Sequence, residues 1–426
     1  MTLPSPFEQG LRAALEKRRH EGQYWGLPLA NQQINCIDFN SNDSLSLLTS
    51  GALRTELLKE LERNPDSLIG SGACRLNGGS TNYMVELERD LAQFHNAEDA
   101  LFFNSGYAAN VAIFSTLPQI GDAIIYDSLV HASVHDGIKQ SRASIVRSFA
   151  HNDPASLSEL LEAIKTVSSM IQNGTRTVFI ALESFYSLDG DMAPAHEFIQ
   201  VVQKSLTHGN FLFTIDEAHS NGLVGPNGAG YISALGLEQH FALRLHTCGK
   251  ALGSVGAIVL CNPLVKEMLI NYARNFIYTT APPFLNLATV RSAYKILASK
   301  DGQQRRDRLQ ENIRCFYDIF HRHEQWQNVS ESGHLRLLNT GDWYNTPFIA
   351  PIIPLIPRPG RCVELAEFLK KKGLSTVSLQ HPVVSRSAER VRVVIHVHNT
   401  PEEIKILVDT VMRWAGEQSR GSGARL

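Results

Sequence analysis

Residues Arg244–Ala257 read RLHTCGKALGSVGA. One lysine, Lys250, stands there among glycines and small residues, with no other charge after Arg244. Lysines ordinarily lie along solvated helix faces, their heads in water. This stretch offers no helical face, so Lys250 calls for another reason to be where it is.

The surrounding chain supplies the frame. DALFFNSG, DAIIYDS, RTVFIALES, NFLFTIDEAH and AIVLCN are short apolar runs bounded by turn signals, and they read as buried strands. VELERDLAQFHN and SLSELLEAIKTVSSMI read as helices between them. Strands alternating with helices predict an α/β fold, with a mostly parallel sheet covered on both faces. Three regions follow. Residues 1–45 hold a basic amphipathic helix and an extended segment, 46–285 the large domain, and 286–426 a smaller α+β domain with a flexible tail. In the last, one long helical pattern runs from Leu287 to His323. PIIPLIP, STVSLQ and RVRVVIHVH are its strand candidates. The closing helix has Thr400 as N-cap, Pro401 at its first position and Glu403 three residues after the cap.

In open parallel sheets, ligands sit beyond the carboxyl ends of the strands. Asp216-Glu217-Ala218-His219 follows one run. A carboxylate and an imidazole so placed suit a metal, an acid/base pair or an anchor for a heteroaromatic cation. Asn104-Ser105-Gly106-Tyr107 opens a helix, where backbone amides bind phosphate. His131, Ser187 and Lys250 follow three further runs. A lysine, a carboxylate, an imidazole face, hydroxyls and a phosphate turn together match one cofactor, pyridoxal 5'-phosphate. Lys250 then has small neighbours because the cofactor lies against the backbone, and desolvation lowers its pKa toward nucleophilic use.

The bulk properties agree with an ordinary globular protein. The 426 residues are 43% hydrophobic and 19% charged, with a net charge of -2, so no polyanion partner is indicated. Six cysteines without C-x-x-C spacing point away from a disulfide framework or zinc finger and toward a reducing compartment. The first residues lack a signal-peptide core, and no run is long enough to span a membrane. Ala424-Arg425-Leu426 has the form of a peroxisomal address, so a peroxisomal or cytoplasmic location is expected.

The chain resembles the α-oxoamine synthases, pyridoxal-phosphate enzymes of the aspartate-aminotransferase-like fold (fold type I). FNSNDSLSL, GSGACRLNGGSTNYMVELERDLAQFHNAEDALFFNSGYAAN, DSLVHASVHDGIKQS, ESFYSLDGD, DEAHSNGLVGPNGAG and TCGKALGSVGA follow in the family's order. The resemblance covers about Asp38 to Glu403. It implies that Lys250 is the Schiff-base lysine, that Asp216 pairs with the pyridine nitrogen and that His219 pairs with the ring hydroxyl oxygen. His131 stacks on the ring, and Ser187 touches cofactor or substrate. Gly106, Tyr107 and Thr247 hold the phosphate. Thr279 and Thr280 reach the phosphate of a neighbouring subunit, implying a homodimer with shared active sites. Arg392 grips the amino-acid carboxylate, with Asn42 in the same region.

The reaction so implied is decarboxylative condensation of an amino acid with an acyl-CoA or acyl-carrier thioester. The first expectation is L-alanine with pimeloyl-CoA, in biotin biosynthesis. The alternatives are a synthase using glycine, serine or another amino acid with a different acyl chain, an aminotransferase, or a non-catalytic partner subunit. Departures from the family pattern bear on substrate: Ser44 stands for an aromatic, Ser46 for a glycine, Met84 for a histidine, Cys248 for a bulky apolar residue, and QHPVV for an arginine-Pro-Pro pattern.

Other motifs carry plainer readings. His131 and His135 have metal-pair spacing but no third ligand in the sequence pattern. His396 and His398 alternate on an expected strand and would share one face. GSGACRLNGG fits neither nucleotide-loop spacing. Arg18 and Arg19 read as a solvated helix face.

Overall fold

The computed structural model describes residues 4–24, 26–27, 36–338, 341, 343–381 and 384–422. The Ala424–Leu426 tripeptide lies outside them. The five expected strands and two more make a seven-stranded sheet: β2 (Asp99–Phe103), β3 (Ala123–Asp127), β4 (Ile145–Phe149), β5 (Val178–Glu183), β6 (Phe211–Asp216), β7 (Leu243–Thr247) and β8 (Ala257–Cys261), of which β4 and β7 are the additions. Their spatial order is β2-β8-β7-β6-β5-β3-β4. Pairings from β4 through β7 are parallel, while β8 runs antiparallel to both β7 and β2. β5 is buried at all six positions, as befits a central strand covered on both faces. The carboxyl ends of β2, β3, β5, β6 and β7 therefore gather along one edge.

A second sheet has the order β12-β13-β10-β9, all antiparallel, from β9 (Leu335–Leu337), β10 (Ile352–Pro357), β12 (Val377–Leu379) and β13 (Arg390–Val394). The extended segment near the N-terminus does not stand apart. Its strand β1 (Ile37–Asp38) pairs in parallel with β11 (Leu374–Ser375) and so joins the C-terminal unit.

Two expectations need correction. The long helical pattern is two helices, Phe284–Leu297 and Lys300–Arg322. Ser299 breaks it because its side chain caps the second helix, accepting from the Gly302 amide at 3.3 Å. β13 ends at Val394, so His396 and His398 are not strand residues. They do stack, with centroids 5.1 Å apart, and buried His396 meets the Ser41 hydroxyl at 3.1 Å. The capping box of the final helix forms as read: Thr400 and Glu403 exchange side-chain-to-amide bonds of 3.0 and 3.2 Å. The helix Ser5–His20 buries no residue.

Candidate active site

Eight of the twelve candidate residues line one cavity of about 110 Å³: Gly106, Tyr107, His131, Ser187, Asp216, His219, Thr247 and Lys250. They come from five strand ends, so no local rule of sequence could have brought them together. Asn42 lines an adjoining smaller cavity with Ser44, and that cavity shares His219 and Lys250 with the first. Arg392 lies on β13, close enough that its charge lowers the pKa values of both Lys250 and His219. Thr279 and Thr280 are not brought to this cavity. Asn104 Nδ2 donates to Thr279 Oγ1 at 3.2 Å and to the Thr280 carbonyl at 3.0 Å, beside a separate cleft lined by Arg75 and Phe276.

The phosphate turn is built as the helix start requires. The Ser105 hydroxyl takes the Ala108 amide at 3.1 Å, and its carbonyl takes the Ala109 amide at 3.0 Å. The Gly106 and Tyr107 amides come first in the helix, where no intrahelical acceptor exists for them. A Cβ on Gly106 would stand 3.4 Å from Thr247 Cβ and Oγ1, an ordinary contact distance, so the helix start passes close beside Thr247.

Asp216 is held rigidly. Asn110 Nδ2 donates to its Oδ2 at 2.8 Å, and the Ala218 amide donates to its Oδ1 at 2.9 Å. Asn110 also donates to Ser133 Oγ at 3.0 Å, and Ser133 Oγ lies 2.7 Å from His131 Nδ1. The Ser133 amide points at the same nitrogen at 3.3 Å. This network assigns His131 Nδ1 as an acceptor, leaving the proton on Nε2. Burial, opposed by Asp216, lowers the His131 pKa and keeps the ring neutral. His219 is held well below its ordinary value, by burial first and then by Lys250 and Arg392.

Lys250 is lowered to about 8, because enclosure disfavours its charge more than Asp216 and Glu183 favour it. A neutral amine is thus available near physiological pH. Glu183 pairs with Asp216 in strand register and is raised above the carboxylate range by burial, then by Asp216.

Sequence reading assigned no individual role to Asn110, Ser133 or Glu183. Asn110 had one usable signal: it follows Gly106 by four residues and so shares its helix face. Ser133 and Glu183 had none, since a serine in a helix and a glutamate ending a strand are ordinary.

Pyridoxal phosphate passes a test of fit here. Arg392 Nε and Glu183 Oε1 are buried without a hydrogen-bond partner among the described residues, and the Gly106 and Tyr107 amides face no intrahelical acceptor. Lys250, Asp216, His219 and His131 are the groups that would hold its ring, with Gly106, Tyr107 and Thr247 at its phosphate. His131 and His135 do not act as a pair: His131 Nδ1 is taken by Ser133, and His135 lies edge-on to Tyr126. No cluster of metal-ligating residues occurs among the described residues.

Known proteins bear on this geometry. Residues 34–411 match the family described as aminotransferase class I and II. Aminoacyl transferase sphA of Aspergillus fumigatus is 39% identical over 383 residues, 90% of this chain and 82% of that protein. The 8-amino-7-oxononanoate synthase of Emericella nidulans is 40% identical over 413 residues, 96% of each. The solved serine palmitoyltransferase of S. paucimobilis with bound PLP–myriocin superposes with a TM-score of 0.78 at 25% identity, covering 98% of this chain and 99% of that one. The chain belongs to the class I and II aminotransferase family, as a pyridoxal-phosphate enzyme of the α-oxoamine synthase type.

Proposed function

We propose that the chain condenses an α-amino acid with an acyl thioester, and that its amino acid carries a polar side chain, as serine does, rather than the methyl of alanine. One observation carries the second clause. Ser44, 4% exposed, lines the small cavity with Asn42, His219 and Lys250, where the family pattern places an aromatic. The small serine side chain there leaves room for a polar side chain that an aromatic ring would fill. Support also comes from the relatives, which include an aminoacyl transferase and, by structure, a serine palmitoyltransferase.

Bound in the cavity, pyridoxal phosphate supplies an electron sink for charge developing at the amino-acid α-carbon. The chain does the rest. Arg392, whose Nε is buried without a partner among the described residues, offers its guanidinium to the carboxylate. Lys250 Nζ, lowered to about 8, takes the α-proton. His131 Nε2–H is a donor at the cavity wall. The α-carbon then bonds to the acyl carbon, the carbon–sulfur bond breaks and the thiol leaves with a proton. Carbon dioxide departs, and the α-carbon regains a proton.

A second reading pairs L-alanine with pimeloyl-CoA to give 8-amino-7-oxononanoate in biotin biosynthesis. The 40% identity over nearly the whole Emericella nidulans synthase favours it. Thiol release decides between the two. Purified holoenzyme is given serine, glycine or alanine, each with pimeloyl-CoA or palmitoyl-CoA. Release with serine supports the proposal. Release with alanine and pimeloyl-CoA alone installs the second reading, and none from any pair removes condensation.

We further propose a homodimer in which Thr279 and Thr280 serve the partner's phosphate site. Mixed dimers of Lys250→Ala and Thr279→Ala/Thr280→Ala chains, each inactive alone, would then recover activity. Ala424-Arg425-Leu426 is proposed as a peroxisomal address, to be read from a fluorescent fusion with and without the tripeptide.

A further inference from the structure

The loop after β5, Ser184–Met192, carries Ser187 into the cofactor cavity. Three contacts hold it. Gly190 has φ +65°, and a Cβ there would lie 2.0 Å from the Ile352 carbonyl oxygen, so the loop backbone presses directly on β10. Asp189 is ion-paired with Arg390 of β13, and Arg390 Nη1 also donates to the Leu188 carbonyl at 3.3 Å. Arg390 and Arg392 are two apart on one strand and share a face.

The third contact is His151, in the turn after β4. Its Nδ1 is 2.8 Å from Asp127 Oδ1, and its Nε2 is 2.8 Å from Asp191 Oδ2. Asp127 is fully buried and already accepts the Leu129 and Asn152 amides, each at 2.8 Å. Asp191 Oδ2 also accepts Asn152 Nδ2 at 2.7 Å. Ionised carboxylates only accept, so both ring nitrogens must donate, which makes the ring an imidazolium. The other group on the ring is Tyr186, edge-on at 4.5 Å. Burial opposes the charge, but the two carboxylates outweigh it and raise the His151 pKa to about 9.

We propose that His151 is a positioning residue for the reaction: as an imidazolium between Asp127 and Asp191 it fixes the Ser187 loop and, through Asp189 and Arg390, the strand that presents Arg392 to the amino-acid carboxylate. The proposal rests on Arg392 as the carboxylate grip. None of the sequence motifs pointed to it, because Asp127, His151 and Asp191 lie 24 and 40 residues apart.

The test uses holoenzyme labelled at histidine 13Cε1, with His151→Gln, Asp191→Asn and Arg392→Gln variants. L-serine and L-alanine are titrated against the cofactor absorbance, and thiol release is measured with the acyl-CoA that the wild type accepts. The wild-type His151 signal should be that of an imidazolium at pH 7.5, and Asp191→Asn should bring its titration down by at least tenfold in proton affinity. His151→Gln and Asp191→Asn should each weaken amino-acid binding about tenfold while kcat changes less than threefold. A neutral His151 at pH 7.5 overturns the proposal. So does unchanged amino-acid binding in both His151→Gln and Asp191→Asn while Arg392→Gln loses it. Unchanged binding in Arg392→Gln overturns it differently, by removing the carboxylate grip on which it rests. Asp191→Asn keeps the test open should His151→Gln fail to fold.

Discussion

Replacing Asn110 by Ala should destabilise the cofactor-free chain by about 3 kcal/mol. Asn110 is 2% exposed and spends its amide on two buried acceptors, Asp216 Oδ2 at 2.8 Å and Ser133 Oγ at 3.0 Å. A bond to a charged acceptor contributes about 1.5–3 kcal/mol and a neutral one about 1 kcal/mol, and water cannot easily replace either at this depth. Ser133→Ala removes the neutral bond and the contact with His131, for about 1–2 kcal/mol. Both variants delete the Asn110–Ser133 bond, so the double variant should fall short of the sum by about 1 kcal/mol. Urea midpoints at pH 7.5, compared at constant m, measure all three. The reasoning fails if Asn110→Ala stays within about 1 kcal/mol of the parent, or if the two effects simply add.

Three further outcomes are expected. In the cofactor-free chain, reductive methylation of Lys250 should follow a midpoint near pH 8, whereas an ordinary lysine titrates near 10.5; a midpoint above 10 would show the amine is not enclosed. His151 has a raised folded-state pKa, so its stabilisation is complete below about 6.5 and is lost as pH rises through about 9; at about 1.4 kcal/mol per tenfold this amounts to at most roughly 3 kcal/mol, visible as a loss of urea resistance between pH 6.5 and 10 that His151→Gln lacks. Ser44→Tyr, restoring the family's aromatic, should raise KM for serine roughly tenfold more than KM for alanine, the arithmetic of about 1.4 kcal/mol of lost room; equal effects on both would mean that Ser44 does not face the amino acid.

Much of this protein was legible in its order of residues. Apolar runs of five or six residues with turn signals at each end are short for helices and read as buried strands, and all five became strands of the large sheet. The glycine-flanked Lys250, Asp216 after its run and the Gly106 turn were readable because each sits at a strand end, where parallel sheets expose chemistry. Motif order then carried the family. Tertiary structure alone decided the rest. Asn110 matters because its helix packs across β7, β8 and β2 and so reaches Asp216, a partner 106 positions away. His151 is charged because two carboxylates from separate segments converge on it, a fact that no local window contains. Helix and strand periodicity are set by neighbours along the chain, and so they show in sequence. Protonation states, tautomers and the distance from Arg392 to Lys250 are set by which distant groups folding places side by side.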